Sequence, residues 1–309
     1  MIEMIKRIID ATASDFKTMR RKELLESIKG AEGRAIISEV VGPFPPLLHD
    51  ISNPELVAAF GADIILLNFY DVNAPVVRGL PIEEGEGVVR GLKKLVGIPI
   101  GINLEPVDEI SEVIGERILL PVGRRATPEN AQKALDQGID FIVLTGNPKT
   151  GVTNDQIIYS LRKMKEQVGE SLVFITGKMH AAGTINDSGS KIIDEKTIKS
   201  FINAGSDVIL MPAPGTVPGI TTDYIKEMID IVHEQGVLAM VAIGTSQEGA
   251  DETTIRNIAL QSKMTGADIH HLGDAGYSGI AIPENIMAYS IAIRGKRHTY
   301  RRMAMSVNR

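Results

Sequence analysis

The 309-residue chain contains no cysteine and no tryptophan. The first absence excludes disulfides, thiolate nucleophiles and Cys-ligated metals, and it fits a reducing compartment. The second, with only 4% aromatic residues, leaves no stacking platform for bases or sugars. No apolar run approaches the ~18 residues a membrane span needs, and the opening residues Met1-Ile2-Glu3-Met4-Ile5-Lys6 lack the pattern of a cleavable leader. Positive charge is not in surplus either. Lys and Arg number 33 against 39 Asp and Glu, a net charge of −6 that disfavours bulk attraction to nucleic acid or anionic lipid. A cytoplasmic chain with no membrane or nucleic-acid partner is expected. What is present, 43% apolar and 23% charged residues, is an ordinary globular composition, long enough for a large core.

A short pattern recurs four times: Gly, any residue, Asp, then an apolar run. It stands at Gly61-Ala62-Asp63, Gly138-Ile139-Asp140, Gly205-Ser206-Asp207 and Gly266-Ala267-Asp268. Each Gly follows a helical stretch that it can end in the left-handed conformation, and each run reads as a buried parallel strand. Four further runs lie between them, at 34–39, 98–105, 172–178 and 237–245, three of them preceded by Gly33, Gly97 and Gly236. Helix starts fall between the runs, at Ser52-Asn53-Pro54-Glu55, Thr127-Pro128-Glu129 and Thr153 to Gln156. Eight alternations of strand and helix predict a single (β/α)8 TIM barrel, with an open doubly wound sheet as the alternative. The apolar run at 117–121 lacks both glycine signatures and is placed outside the barrel. Residues 1–29 are expected to form a helical extension that caps the barrel bottom or meets a partner chain. Residues 30–295 then form the barrel and 296–309 a basic tail, solvated or in a subunit contact.

Barrel side chains alternate between interior and helix layer, and active sites sit at the strands' C-terminal ends. Counting from the repeats puts Asn68 and Thr145 inward at the ends of two strands, with His271 one layer deeper and His270 facing the helices. In the other strands the same count gives Glu39, Asn103 and Thr176, then Glu105 and Lys178 two residues on. Unpartnered polar groups cost roughly 1–3 kcal/mol each when buried, so such a set reads as a ligand site. Glu39, Lys178 and His271 are the expected catalytic residues: a carboxyl or imidazole to move a proton, and a lysine to stabilise an enolate or form an imine. Asn68, Asn103, Glu105, Thr145 and Thr176 would hold substrate, and His180 could be a second acid or base. A divalent metal held by Glu39, Glu105 and His271 with Asn68 or Asn103 is the competing use of the same groups, although no metal-binding spacing supports it.

Two glycine-rich turns follow the last two strands. The N–H groups and hydroxyls of Gly244-Thr245-Ser246 and of Gly273 to Gly276 are expected to bind phosphate, with Asp274 as a repulsive complication. Loops at 69–81, 177–194 and 211–220 could close over the mouth. Arg124 and Arg125 could bring positive charge toward it.

With these features the chain resembles the phosphate-binding (β/α)8 superfamily. Two stretches, Ile98-Pro99-Ile100-Gly101-Ile102-Asn103 and Phe141-Ile142-Val143-Leu144-Thr145-Gly146-Asn147-Pro148-Lys149-Thr150-Gly151, also resemble the BtpA-like family of barrels. The expected function is an enzyme acting on a phosphorylated or otherwise anionic carbonyl metabolite, of lyase, aldolase or isomerase type, in a homo-oligomer. The alternatives are a metal-assisted hydrolase or lyase at the same mouth and a non-catalytic assembly or regulatory barrel. The last predicts mutually paired polar groups and no open pocket.

Overall fold

A computed structural model describes residues 5–81, 86–111, 116–180 and 192–309. Eight parallel strands close in sequence order into one barrel: β1 (Ala35–Val41), β2 (Ile64–Asn68), β3 (Ile100–Asn103), β4 (Phe141–Leu144), β5 (Val173–Gly177), β6 (Val208–Pro212), β7 (Leu238–Ile243) and β8 (Ile269–Leu272). Each begins within two residues of the place the glycine signatures give. The run at 117–121 forms no strand and leads into a short 3-10 turn, Val122–Arg124.

The expected helix starts form as capped helices. Ser52 and Glu55 cap α3 (Asn53–Ala59) reciprocally, and the hydroxyls of Thr127 and Thr153 accept the first free N–H groups of α5 (Pro128–Gln137) and α6 (Asn154–Val168). The other crossover helices are α4 (Val88–Val96), α7 (Glu195–Ala204), α8 (Thr222–Glu234) and α9 (Glu252–Met264). Gly61, Gly138, Gly205 and Gly266 all have φ between 87° and 107°, the left-handed exit that the repeat requires.

The repeated aspartates tie neighbouring strands together at the barrel bottom. Asp63 both donates its N–H to the Ile36 carbonyl and accepts the Ile36 N–H on its carboxylate, each at 2.9 Å. Asp140 does the same with Ile100, Asp207 with Phe174 and Asp268 with Ala239. Each carboxylate also meets a cation or histidine: Arg294 and Arg302 on Asp63, Lys93 on Asp140, Arg21 on Asp207 and His233 on Asp268.

The core has two layers. Ile37, Leu66, Val143, Ile175, Leu210 and Met240 fill the barrel, while the alternate strand residues pack against the helices. Gly101 makes room for a neighbour inside: a Cβ there would lie 2.3 Å from the Phe141 ring. The N-terminal segment, with α1 (Ala13–Thr18) and α2 (Arg21–Lys29), closes the bottom, where Ile8, Ile9, Leu24 and Ile28 join the interior cluster. The basic C-terminal residues do not form a free tail. Helix α10 (Pro283–Met303), broken at Gly295, buries Arg294 and Arg302 on Asp63, and Arg301 donates to the carbonyls of Ile9 and Asp10. With the bottom sealed at both chain ends, the open end is the mouth at the strand C-termini. Among the described residues no helix is long and apolar enough to cross a membrane.

Candidate active site

The mouth holds a cavity of about 340 Å³. Glu39 on β1, Asn68 on β2, Asn103 on β3 and Thr145 after β4 line it, as the inward count places them, and each is at most 4% exposed. Gly244, Thr245 and Ser246 after β7, and Gly273 and Asp274 after β8, continue the lining round to β1. His271 lies beneath this layer, fully buried, with Nε2 3.1 Å from Glu39 Oε2. The contact is off the line a hydrogen bond requires, so both ring nitrogens lack a hydrogen-bond partner.

Burial, together with the charges of Glu248 and Glu105, pushes the Glu39 carboxyl up to about 8. Burial and then the Glu39 charge push Asp274 up to about 7, against the Asn68 amide that donates to it at 2.9 Å. Burial holds His271 down to about 4, so its ring is neutral near pH 7. The cavity therefore sets two carboxyls that titrate near neutrality at the ends of the adjacent strands β1 and β8.

Two lining residues lay outside sequence reasoning. Glu248, fully buried in the turn after β7, accepts the Ala275 N–H at 3.0 Å through Oε1 and leaves Oε2 unpartnered. Its position five residues past the end of β7, in the same turn as Gly244, was the available signal. Asn147 exchanges amide hydrogen bonds with Asn68 and donates from both its backbone and side chain to Glu105. It stands in the Thr145-Gly146-Asn147-Pro148 run, but a loop carries no periodicity to orient it.

Several expected positions are corrected. Thr176 faces the helix layer: it pairs in register with outward Leu144 and donates to Ser206 Oγ at 2.8 Å. Residue Gly177, opposite Leu210, holds the inward place. Strand β5 has Glu170 where the other runs have a leading Gly, which displaced the count by one residue and so exchanged the faces. Lys178 is buried but does not line the cavity, where Met179 and His180 stand instead, and its charge acts on His180 rather than Glu39. Glu105 is turned away from the cavity. It pairs with Arg124 at 2.7 Å, and that guanidinium lies over the Phe69 ring. Arg125 pairs with Glu109 at the surface. Neither arginine reaches the mouth.

The two phosphate turns fare differently. Among the described residues, the backbone N–H groups of Gly244, Thr245 and Ser246 have no acceptor, although the Thr245 hydroxyl donates to the Thr216 carbonyl. In the second turn Gly273 donates to Ile243 and Ala275 to Glu248, while Gly276 packs on the backbone of Ala281. Two of its four N–H groups are thus engaged within the fold. The 177–194 loop lies largely outside the described residues.

No three His, Asp or Glu side chains among the described residues converge as a metal ion requires. The open cavity and its unpartnered atoms also differ from the closed, internally paired mouth that a non-catalytic barrel predicts. Residues 9–309 match a family described as a domain of unknown function, DUF7916. The chain belongs to this DUF7916 family. Its sequence has no match among curated proteins. Solved structures share its fold at low identity. An archaeal fructose 1,6-bisphosphate aldolase is 13% identical, covering 89% of this chain and 100% of its own, with a TM-score of 0.54. A Schiff-base-forming fructose-1,6-bisphosphate aldolase is 13% identical, covering 88% and 99%, with a TM-score of 0.55. Pyruvate carboxylase from Rhizobium etli is 12% identical over 97% of this chain and 30% of its own, with a TM-score of 0.52. These likenesses establish the barrel. None of them carries the BtpA-like resemblance.

Proposed function

We propose that this DUF7916 protein is an enzyme that moves a proton next to the carbonyl of a small hydroxylated, phosphorylated or otherwise anionic compound, as a lyase of aldolase type or an isomerase. The observation that carries this reading is Glu39, a carboxyl in the cavity wall whose proton is held to about 8. A group poised near neutrality gives up and regains a proton with little driving force lost in either direction, which a general acid–base requires. Asp274, held near 7 at the end of the neighbouring strand, supplies the complementary proton carrier. Asn68, Asn103 and Thr145 orient hydroxyls. The free N–H groups of Gly244, Thr245 and Ser246 receive the phosphate or carboxylate at the rim. Lys178 and Thr176 have no part in this reading because neither side chain lines the cavity. The two aldolase neighbours act on phosphorylated sugars by their names, which favours the same class here.

The test is hydrogen–deuterium exchange at the carbon beside the carbonyl, followed by NMR in deuterated buffer across sugar phosphates and keto acids. Exchange should occur with at least one compound and fall roughly 100- to 10,000-fold in Glu39→Gln, the range attributed to general acid–base catalysis. Exchange that survives unchanged in a folded Glu39→Gln protein removes the proposal.

A further inference from the structure

We propose that the substrate carries a protonated amine, and that Glu248 receives it in a cavity where Asn103 and Thr145 offer further unpartnered acceptors. The inference rests on the acid–base reading above and adds a chemical class to its substrate. Asn103, Thr145 and Glu248 line the cavity with side chains at most 4% exposed, and Asn103 Oδ1, Thr145 Oγ1 and Glu248 Oε2 lack a hydrogen-bond partner. Two of the three can only accept. An ammonium has donors only, so it suits a bare acceptor from any side, and with Glu248 it forms a charge-assisted bond that a hydroxyl cannot.

Charge points the same way. Glu39, Glu248 and Asp274 line the cavity, and no Lys or Arg does so among the described residues. All three carboxyls are pushed up, first by burial, with Glu39 further raised by Glu248 and Asp274 by Glu39. A cation entering this cavity would relieve both penalties. The described His, Asp and Glu groups do not converge as a metal shell requires, whereas an ammonium can pair with a single carboxylate such as Glu248. The anionic group of the same molecule remains at the backbone N–H groups of the Gly244–Ser246 rim.

Isothermal titration calorimetry with matched pairs decides the matter: glucosamine 6-phosphate against glucose 6-phosphate, and phosphoethanolamine against ethylene glycol monophosphate. At least one amine should bind about 10- to 100-fold more tightly than its hydroxyl twin, the worth of a charge-assisted contact. Its binding at pH 7 should release protons, seen by comparing buffers of different ionisation enthalpy, because the ammonium drives Glu39 toward the carboxylate. Glu248→Gln, which keeps the side-chain shape, should remove most of that preference while moving the hydroxyl twin less than about 3-fold. Equal binding of amine and hydroxyl partners overturns the inference and leaves the acid–base reading standing. Absence of binding by every compound overturns the inference, and Glu39-dependent exchange then judges the acid–base reading alone. Tight binding of Mg²⁺ or Mn²⁺ alone, lost in Glu248→Gln, would also overturn it in favour of a metal.

Discussion

His270 and His271 are neighbours on one strand with opposite surroundings, and alternation alone makes the difference. His270 faces the helices, where Nδ1 meets the Tyr289 hydroxyl at 3.0 Å and Nε2 the Gly33 carbonyl at 3.1 Å. His271 faces the interior with neither nitrogen bonded, at a level where β7 contributes Ala242 and β1 Ile37. An imidazole in that layer carries a desolvation cost that no hydrogen bond offsets. His271→Leu is therefore expected to stabilise the fold by ~1–2 kcal/mol, whereas His270→Leu should destabilise it by about the same amount through two lost hydrogen bonds. Urea denaturation of the two variants checks the opposite signs. Destabilisation by both would mean that His271 is a packed structural residue and not a site residue.

At the level of elements, the four aspartates repeat one contact in four electrostatic settings. Each binds the N–H and carbonyl of the preceding strand, which fixes the stagger between strands where the ladder begins. The surroundings then set the cost of losing it. Asp63 is fully buried between Arg294 and Arg302, whose side chains are at most 3% exposed. Asp140 and its partner Lys93 are 24% and 32% exposed. Removing Asp63 strands two buried guanidinium groups, while water can solvate Lys93 once Asp140 is gone. Asp63→Ala should cost ~3–5 kcal/mol and Asp140→Ala only ~1–2 kcal/mol. Chemical denaturation measures both, and the reverse order would disprove the role given to the α10 arginines. The same contact explains where Arg294 and Arg302 go: they are part of the barrel's lower closure.

Across the whole molecule, buried groups of two kinds set a pH window. Glu39 and Asp274 hold protons more strongly when folded than when unfolded, at about 8 and about 7. Their contribution is complete below the ordinary carboxylate range and is lost as pH rises through those values. His270 and His271 hold protons less strongly when folded, both at about 4. Their contribution is complete above the ordinary histidine value of 6.5 and is lost as pH falls toward 4. The two losses run in opposite directions, so stability should peak on the acid side of neutrality. Thermal melts from pH 4 to 9 test this, and in Glu39→Gln the alkaline decline should flatten. A decline that is identical in the variant would detach it from Glu39.

The barrel was legible in the sequence because its signals are local. A left-handed Gly, an Asp on the next strand start, an apolar run and a capped helix each act within a few residues, and their fourfold recurrence gave strand number and order. Parity then placed Glu39, Asn68, Asn103 and Thr145 in one cavity, since side-chain alternation is a property of any strand once its register is known. Where the register signal failed, in β5 with Glu170 in place of Gly, Thr176 and Lys178 were assigned to the wrong face. Only the tertiary structure decided the remainder. Glu248 and Asn147 enter the site from loops whose course depends on what they pack against. The fate of the Gly244 and Gly273 turns depended on a carboxylate from another part of the same wall. The proton affinities of Glu39 and Asp274 arise from burial and from neighbouring charges, Glu248 and Glu105 on Glu39 and Glu39 on Asp274, quantities that exist only when strands far apart in the chain close into a ring.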